Sequence, residues 1–74
     1  MVIVSQDKTE LINFNNVENI YISGKYVSIN YKSGENAVIG TYKTENRAKE
    51  ILEEISSFYI INEYQNKVYR MPKD

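Results

Sequence analysis

The chain has 74 residues, nine basic and ten acidic side chains, a net charge of −1, and neither cysteine nor histidine. This length allows a single domain over residues 1–74, and a domain this small buries only about 60% of the surface that its unfolded chain exposes. The missing residue types exclude disulfides and every cofactor or metal site built on thiolate or imidazole. The near-neutral charge makes a nucleic-acid partner improbable.

A small domain that lacks disulfides and metals commonly gains stability by association, so we expect a homo-oligomer. Residues 1–5 lack the basic segment and long apolar run of a signal peptide. No stretch approaches the roughly 20 apolar residues of a membrane span. We therefore expect a cytoplasmic protein with no membrane partner.

The first elements in chain order are short strands. Residues 2–4 are an apolar run and residues 11–14 are a second candidate strand, with a polar turn at residues 5–9 between them and a turn at Asn15 and Asn16 after them. Residues 17–22 then alternate, and Gly24-Lys25 suits a two-residue type II′ turn with glycine first. This turn predicts a hairpin that places four aliphatic side chains on one face: Ile20, Ile22, Val27 and Ile29.

The register of the next strand, residues 36–42, is left open by the sequence. A two-residue turn at Ser33-Gly34 points Val38, Gly40 and Tyr42 at the core. A three-residue loop with Gly34 in the left-handed region points Ala37, Ile39 and Thr41 there instead.

The segment 44–59 has the clearest helical pattern, with apolar residues at helical spacing. Thr44 is a suitable N-cap, and Glu45 follows it at the positive end of the helix dipole. The buried stripe is predicted to contain Ala48, Ile51, Leu52, Ile55, Phe58 and Tyr59. The outer face places Glu45, Lys49 and Glu53 at i, i+4 spacing.

After the helix, residues 60–64 fit either frayed helix or coil, Gln65-Asn66 indicates a turn, and residues 67–71 form a last strand stopped by Pro72. The order β-β-β-β-β-α-β predicts an α+β fold. We expect a curved antiparallel sheet of about five to six strands with one amphipathic helix packed on one face.

Two resemblances add to this interpretation. Residues 14–55, FNNVENIYISGKYVSINYKSGENAVIGTYKTENRAKEILEEI, resemble the last strands and closing helix of small bacterial PH-like domains. The segments VIVSQDKTELINFNNVENIYI, GTYKTENRAKEILEEI and YRMPKD resemble a family of small phage and prophage proteins of low-GC Gram-positive bacteria. The second resemblance implies a viral protein in a host cytoplasm and an anti-defence role, and it supplies no site residues.

Catalytic groups are scarce. Without histidine or cysteine the usual nucleophile–base pairs are missing, and no glycine-rich phosphate loop is present. Glu53 and Glu54 are adjacent on the helix and diverge, so we interpret them as a solvated face. Asp7 and Glu10 flank a turn and lack the spaced ligands of a calcium loop. We therefore expect no enzyme activity, no cofactor and no metal.

The tyrosines are the most informative residues. If the helix covers the aliphatic face of the hairpin, its other face presents Tyr21, Tyr26, Ser28 and Asn30, joined by Tyr42 or Tyr31 at the edge. Such a surface suits recognition. The alternatives are that this face closes a homodimer, or that Leu11, Phe14 and the last strand cover it.

The two arginines are the other candidates, because arginine makes bidentate contacts to phosphate and carboxylate. Arg47 either helps an anion site at the helix N-terminus or pairs with Glu50, and Arg70 either binds a ligand or has a cross-strand partner. The predicted ligand-binding residues are Tyr21, Tyr26, Ser28, Asn30, Arg47, Tyr69 and Arg70.

Three functions follow as hypotheses. The first is a non-enzymatic anti-defence protein that sequesters a nucleotide-derived immune signal at a subunit junction. The second is an inhibitor or adaptor that binds a host defence protein through its tyrosine-rich face or its C-terminal strand. The third, a single-strand nucleic-acid binder, is disfavoured by the charge.

Overall fold

The computed structural model describes residues 1–62 and 67–74, with the side chain of Asn62 outside the description. Within these ranges the protein is α+β, with the element order that the sequence predicts. The elements are β1 (Val2–Val4), β2 (Leu11–Asn13), a 3-10 turn (Phe14–Asn16), β3 (Val17–Ser23), β4 (Tyr26–Tyr31), β5 (Asn36–Thr41), α1 (Glu45–Asn62) and β6 (Val68–Arg70). The predicted turn at Gln65-Asn66 and the interpretation of Glu63 and Tyr64 lie outside the described residues.

The strands form two three-stranded sheets, with orders β2-β1-β6 and β3-β4-β5, where the sequence predicts one curved sheet. We call them the N-terminal sheet and the central sheet. They meet where the Gln6 backbone N–H donates to the Ile39 carbonyl oxygen at 3.0 Å. The N-terminal sheet is mixed, because β6 pairs in parallel with β1 while β2 pairs antiparallel with it.

The predicted hairpin of β3 and β4 is confirmed. Ile22 lies opposite Val27 and Ile20 lies opposite Ile29, as the two-residue turn requires. Gly24 has a φ of +59°, and Lys25 is not among the residues with positive φ, which is the combination that defines a type II′ turn. The same register places Tyr21 opposite Ser28.

Strand β5 combines the two registers that the sequence leaves open. It begins with the three-residue loop, since Gly34 has a φ of +97° and the Tyr31 N–H bonds the Glu35 carbonyl at 2.7 Å. A β-bulge then shifts the register at Ile39, so that Gly40 lies opposite Val27. One extra residue reverses the alternation, and both Ile39 and Tyr42 are buried as a result. Tyr42 therefore belongs to the core and does not join an exposed tyrosine face.

Helix α1 has the predicted cap. The Thr44 hydroxyl accepts a hydrogen bond from the Arg47 backbone N–H at 3.1 Å, and Lys49 pairs with Glu45 at 3.4 Å. The helix contacts β3 and β4 through a stripe in which Ala48, Ile51 and Ile55 are fully or almost fully buried. Tyr59, predicted to lie in this stripe, is largely exposed and contacts only the Phe14 ring among the described aromatic residues. No helix in the described residues is both long and apolar enough to cross a membrane.

A single buried cluster joins the helix to both sheets. Each element contributes few residues to it, so the cluster is assembled from distant parts of the chain: Ile3, Ile12, Val17, Val27, Ile29, Ile39, Tyr42, Ala48, Ile51, Ile55, Tyr69 and Met71. Leu11, which belongs to one of the alternative covers considered for the tyrosine face, is not part of this cluster.

Candidate functional site

The outer face of the central sheet carries the predicted tyrosines. Tyr21 and Tyr26 are 36% and 47% exposed. The Asn30 side-chain amide donates to Asn19 Oδ1 at 3.0 Å across the strand pair, which fixes both amides. Ser28 lies between these residues but is only 4% exposed, so the expectation that it faces solvent is wrong. Its cross-strand partners are Tyr21 and Val38, which both have larger side chains.

Arg47 lies on helix α1, which packs on the opposite side of the central sheet from Tyr21 and Tyr26. Its Nε and Nη2 atoms donate to the main-chain oxygen of Asp74 at 3.1 and 2.9 Å. Its Nη1 atom pairs with Glu50 at 3.1 Å and Glu54 at 3.4 Å. The predicted pair with Glu50 is confirmed. The guanidinium is occupied by internal acceptors, and a single copy does not bring it to the tyrosines.

Tyr69 points into the core, where 8% of it is exposed. Its ring contacts Phe58 edge-on at 5.5 Å, and its hydroxyl donates to Glu54 Oε1 at 3.0 Å. Burial and the hydrogen bond to the Glu54 carboxylate raise the pKa of Tyr69. Arg47 and Tyr69 therefore meet at one carboxylate, as parts of a structural network between the helix and β6.

Arg70 lies on the other side of β6 and points outward. In the N-terminal sheet, cross-strand neighbours share a face. Val4 lies opposite both Leu11 and Arg70, and Val2 lies opposite both Asn13 and Val68. The alternate residues of the three strands, Ile3, Ile12 and Tyr69, are the buried ones. The outward set, which we call the N-terminal face, consists of Val2, Val4, Leu11, Asn13, Val68 and Arg70.

The N-terminal face is apolar and uncovered within the described structure. Leu11 is 75% exposed and Val68 is 44% exposed, while Val2 and Val4 between them are half-buried. Among the described residues the Arg70 side chain takes part in no hydrogen bond or ion pair. An exposed group of aliphatic side chains around an unpaired arginine is the composition found at the centre of protein interfaces.

A depression of about 220 Å³ adjoins this face, lined by Val4, Ser5, Lys8, Arg70 and Met71. Lys8 is held at its rim by an unusual backbone, with a φ of +64°. The Asp7 carboxylate stabilises this turn by accepting hydrogen bonds from Thr9 and Ser5, and these bonds lower the pKa of Asp7. The depression thus has two cations and an apolar wall, which suits an acidic group next to an apolar side chain.

A larger depression of about 490 Å³ lies near Tyr31 and has the opposite character. Its lining includes Glu10, Glu35 and Lys32. Burial and the two carboxylates raise the pKa of Tyr31. The negative potential opposes phosphate, so this depression does not suit an anionic ligand.

The sequence points to Arg70 and misses the aliphatic residues around it. Val2, Ile3 and Val4 are all apolar, so the sequence does not reveal which side of this strand faces outward. Only the parallel pairing of β6 with β1 places Val68 and Arg70 beside Val2 and Val4. No protein-family model, no curated protein and no solved structure matches this chain.

Proposed function

We propose that the protein is a non-enzymatic binding module that docks on another protein through the N-terminal face. The observation that supports this best is the exposed aliphatic group around Arg70, whose side chain has no hydrogen bond or ion pair within residues 1–62 and 67–74. Arginine forms planar, two-point contacts with carboxylates, and aliphatic side chains supply the desolvated surroundings in which such contacts are strong. The partner segment therefore carries apolar residues next to Asp or Glu.

The resemblance to small phage and prophage proteins supplies a biological setting. In that setting the module is an anti-defence factor, and its partner is a host defence protein that it inhibits in the host cytoplasm. The proposal uses the C-terminal strand β6 as part of the contact surface. It requires no catalytic group or cofactor.

Selection from a displayed random-peptide library tests the proposal and does not require the partner to be identified. The wild-type protein is the bait, and the double variant Leu11→Ser/Arg70→Ala is the counter-selection. Both substitutions are at exposed positions, so the variant retains the fold. We expect enriched peptides with an apolar residue flanked by Asp or Glu. Enrichment that survives equally on the double variant would rule out this surface.

A second candidate is sequestration of a nucleotide-derived signal on the outer face of the central sheet. It is supported by the exposure of Tyr21 and Tyr26 on one face, since aromatic rings stack on bases. Calorimetry against ADP-ribose-type and cyclic oligonucleotide ligands tests it, with Tyr26→Ala as the variant. Saturable heat that is lost in this variant supports the candidate, and the absence of heat across the panel refutes it.

A further inference from the structure

The two edges of the central sheet differ in how far their backbone groups are hydrogen-bonded. At the β5 edge, Gln6 acts as a substitute strand. Its side-chain Nε2 donates to the Thr41 carbonyl oxygen at 2.8 Å, and its Oε1 accepts from the Thr41 N–H at 2.6 Å. The backbone N–H of Gln6 bonds Ile39 in addition. Gln6 thus caps the Ile39–Thr41 end of this edge.

The β3 edge is open in the described structure, because β4 is the only strand beside it. The type II′ turn makes Ser23 and Tyr26 a hydrogen-bonded pair, and hydrogen-bonded pairs alternate along an antiparallel ladder. The backbone N–H and C=O groups of Tyr21 therefore bond to β4, whereas the backbone N–H and C=O groups of Ile20 and Ile22 point away from the sheet. Residues 19–23 contain no charge and no proline, the features that normally protect an edge strand.

We propose that β3 pairs antiparallel with β3 of a second copy, about a twofold axis at Tyr21. In this register Ile20 lies opposite the second copy's Ile22, and each such pair exchanges both of its outward hydrogen bonds. The half-buried Ile20 and Ile22 side chains meet on the inner side of the sheet. The two Tyr21 rings meet on the outer side, in a pair without hydrogen bonds, where side chains are closest.

The charged residues at the two ends of β3 favour this register over the others. The strand has Glu18 near one end and Lys25 in the turn beyond the other end. Antiparallel pairing at Tyr21 brings Glu18 of each copy, which lies at a bulge between Val17 and Asn19, close to Gly24 and Lys25 of the other. A parallel pairing in register would place the two Glu18 carboxylates side by side, and a register centred on Ile20 would place Glu18 against Ile22. A register centred on Ile22 would also bring Glu18 near Lys25, but it would leave Ile20 opposite Gly24. Of these registers, the Tyr21 register is the one that brings opposite charges together and also pairs both isoleucines of each copy.

The result is a continuous six-stranded sheet with the tyrosine faces of two copies side by side. The paired segment is short, so the interface belongs to the small size class and the dimer dissociates on dilution. This surface is distinct from the N-terminal face. A result that contradicts the dimer therefore leaves the proposed partner binding untouched, and the reverse also holds.

Sedimentation velocity from about 1 µM to about 500 µM tests the dimer. We expect the wild type to shift from monomer to dimer with concentration. Tyr21→Lys and Tyr21→Glu should each raise the dissociation constant at least about tenfold, because like charges meet at the axis. An equimolar mixture of the two variants should restore a heterodimer. The matched control is Tyr26→Lys, on the same face but on the middle strand, and it should dimerise like the wild type.

A cross-link gives a second measurement. The native chain has no cysteine, and Cα atoms in a pair without hydrogen bonds are about 4.5 Å apart, within disulfide range. Tyr21→Cys should form a covalent dimer on mild oxidation, whereas Tyr26→Cys should not. A wild type that stays monomeric at the highest concentration would overturn the proposal. So would a charge mixture that fails to associate, or equal cross-linking at both positions.

Discussion

The hydroxyl of Tyr69 donates a hydrogen bond to Glu54 Oε1 at 3.0 Å, which ties the last strand to the middle of helix α1. Glu54 also pairs with Arg47 at 3.4 Å, and Arg47 in turn holds the main-chain oxygen of Asp74. These contacts place β6 against β1 with Tyr69 inward and Arg70 outward. The proposed binding face therefore depends on an internal network on the other side of the same strand.

The Tyr69–Glu54 bond should contribute measurably to stability. We expect Tyr69→Phe to lower the free energy of unfolding by about 1–2 kcal/mol, because the change removes a hydrogen bond to a charged acceptor and leaves the ring packed on Phe58. Urea denaturation measures the change. Tyr26→Phe is the matched control at an exposed tyrosine and should stay within about 0.5 kcal/mol of the wild type. Equal losses in the two variants would contradict the assigned role.

The buried tyrosines make the fold sensitive to alkali. Burial raises the pKa of Tyr42 from 10.0 to about 12, and the pKa of Tyr69 is raised by burial and by Glu54. Folding therefore favours the neutral phenols. Their contribution to stability is complete below pH 10, where tyrosine is neutral in both states, and is lost as the pH rises toward 12 and beyond.

Urea denaturation at a series of pH values from neutral to strongly alkaline checks this expectation. The free energy of unfolding should fall more steeply above pH 10 in the wild type than in Tyr42→Phe, which cannot ionise at this position. The Tyr42 hydroxyl also donates to the Pro72 carbonyl at 2.8 Å, so the variant starts from a lower stability at neutral pH. An unchanged alkaline slope would show that Tyr42 ionises equally in both states.

Gly40 should be sensitive to an added side chain. A Cβ atom at this position would lie 2.7 Å from Met71 Cε and 2.9 Å from Tyr42 Cε2. We expect Gly40→Ala to destabilise the fold by about 1–3 kcal/mol through overpacking. Because Met71 is the closest obstacle, the same substitution should cost less in a Met71→Ala background. An unchanged cost in the double-mutant cycle would contradict this packing.

Gln6 should be important for both sheets. Its side-chain amide bonds both backbone groups of Thr41 and the Lys73 carbonyl oxygen. We expect Gln6→Leu to lower the free energy of unfolding by about 1–3 kcal/mol, because it leaves a strand edge without partners. Hydrogen exchange should show faster exchange of the Thr41 amide. Protection of that amide at the wild-type level would contradict the capping role.

The sequence predicts the local features of this fold well and the long-range ones poorly. The hairpin of β3 and β4 is set by a glycine turn and by alternation within a few residues, so its register follows from the sequence. The bulge at Ile39 lies where the Gln6 N–H bonds the Ile39 carbonyl and where Met71 lies against Gly40, and both residues are distant in the chain. Tyr42 is buried for the same reason, although nothing in its neighbourhood distinguishes it from Tyr26.

In the candidate site, too, the sequence predicts the local feature and misses the features that depend on long-range pairing. Arg70 stands out by residue type, but its aliphatic neighbours on β1 and β2 become a surface only through nonlocal pairing. An apolar side chain such as Leu11 is expected inside on average, and a small domain leaves some of them outside. Tyr69 is misplaced because strand alternation gives two faces and does not say which of them a second element covers. Ser28 lies on the predicted face, opposite Tyr21 and Val38, but is buried there.

Calorimetric titration of one library-selected peptide tests the central claim most directly. The peptide is titrated into the wild type, Arg70→Ala and the matched surface control Tyr26→Ala. We predict that Arg70→Ala weakens binding about tenfold or more, because it removes a charge-assisted contact, while Tyr26→Ala binds like the wild type. Equal affinity of Arg70→Ala and the wild type, or a loss confined to Tyr26→Ala, would contradict the N-terminal face as the binding surface.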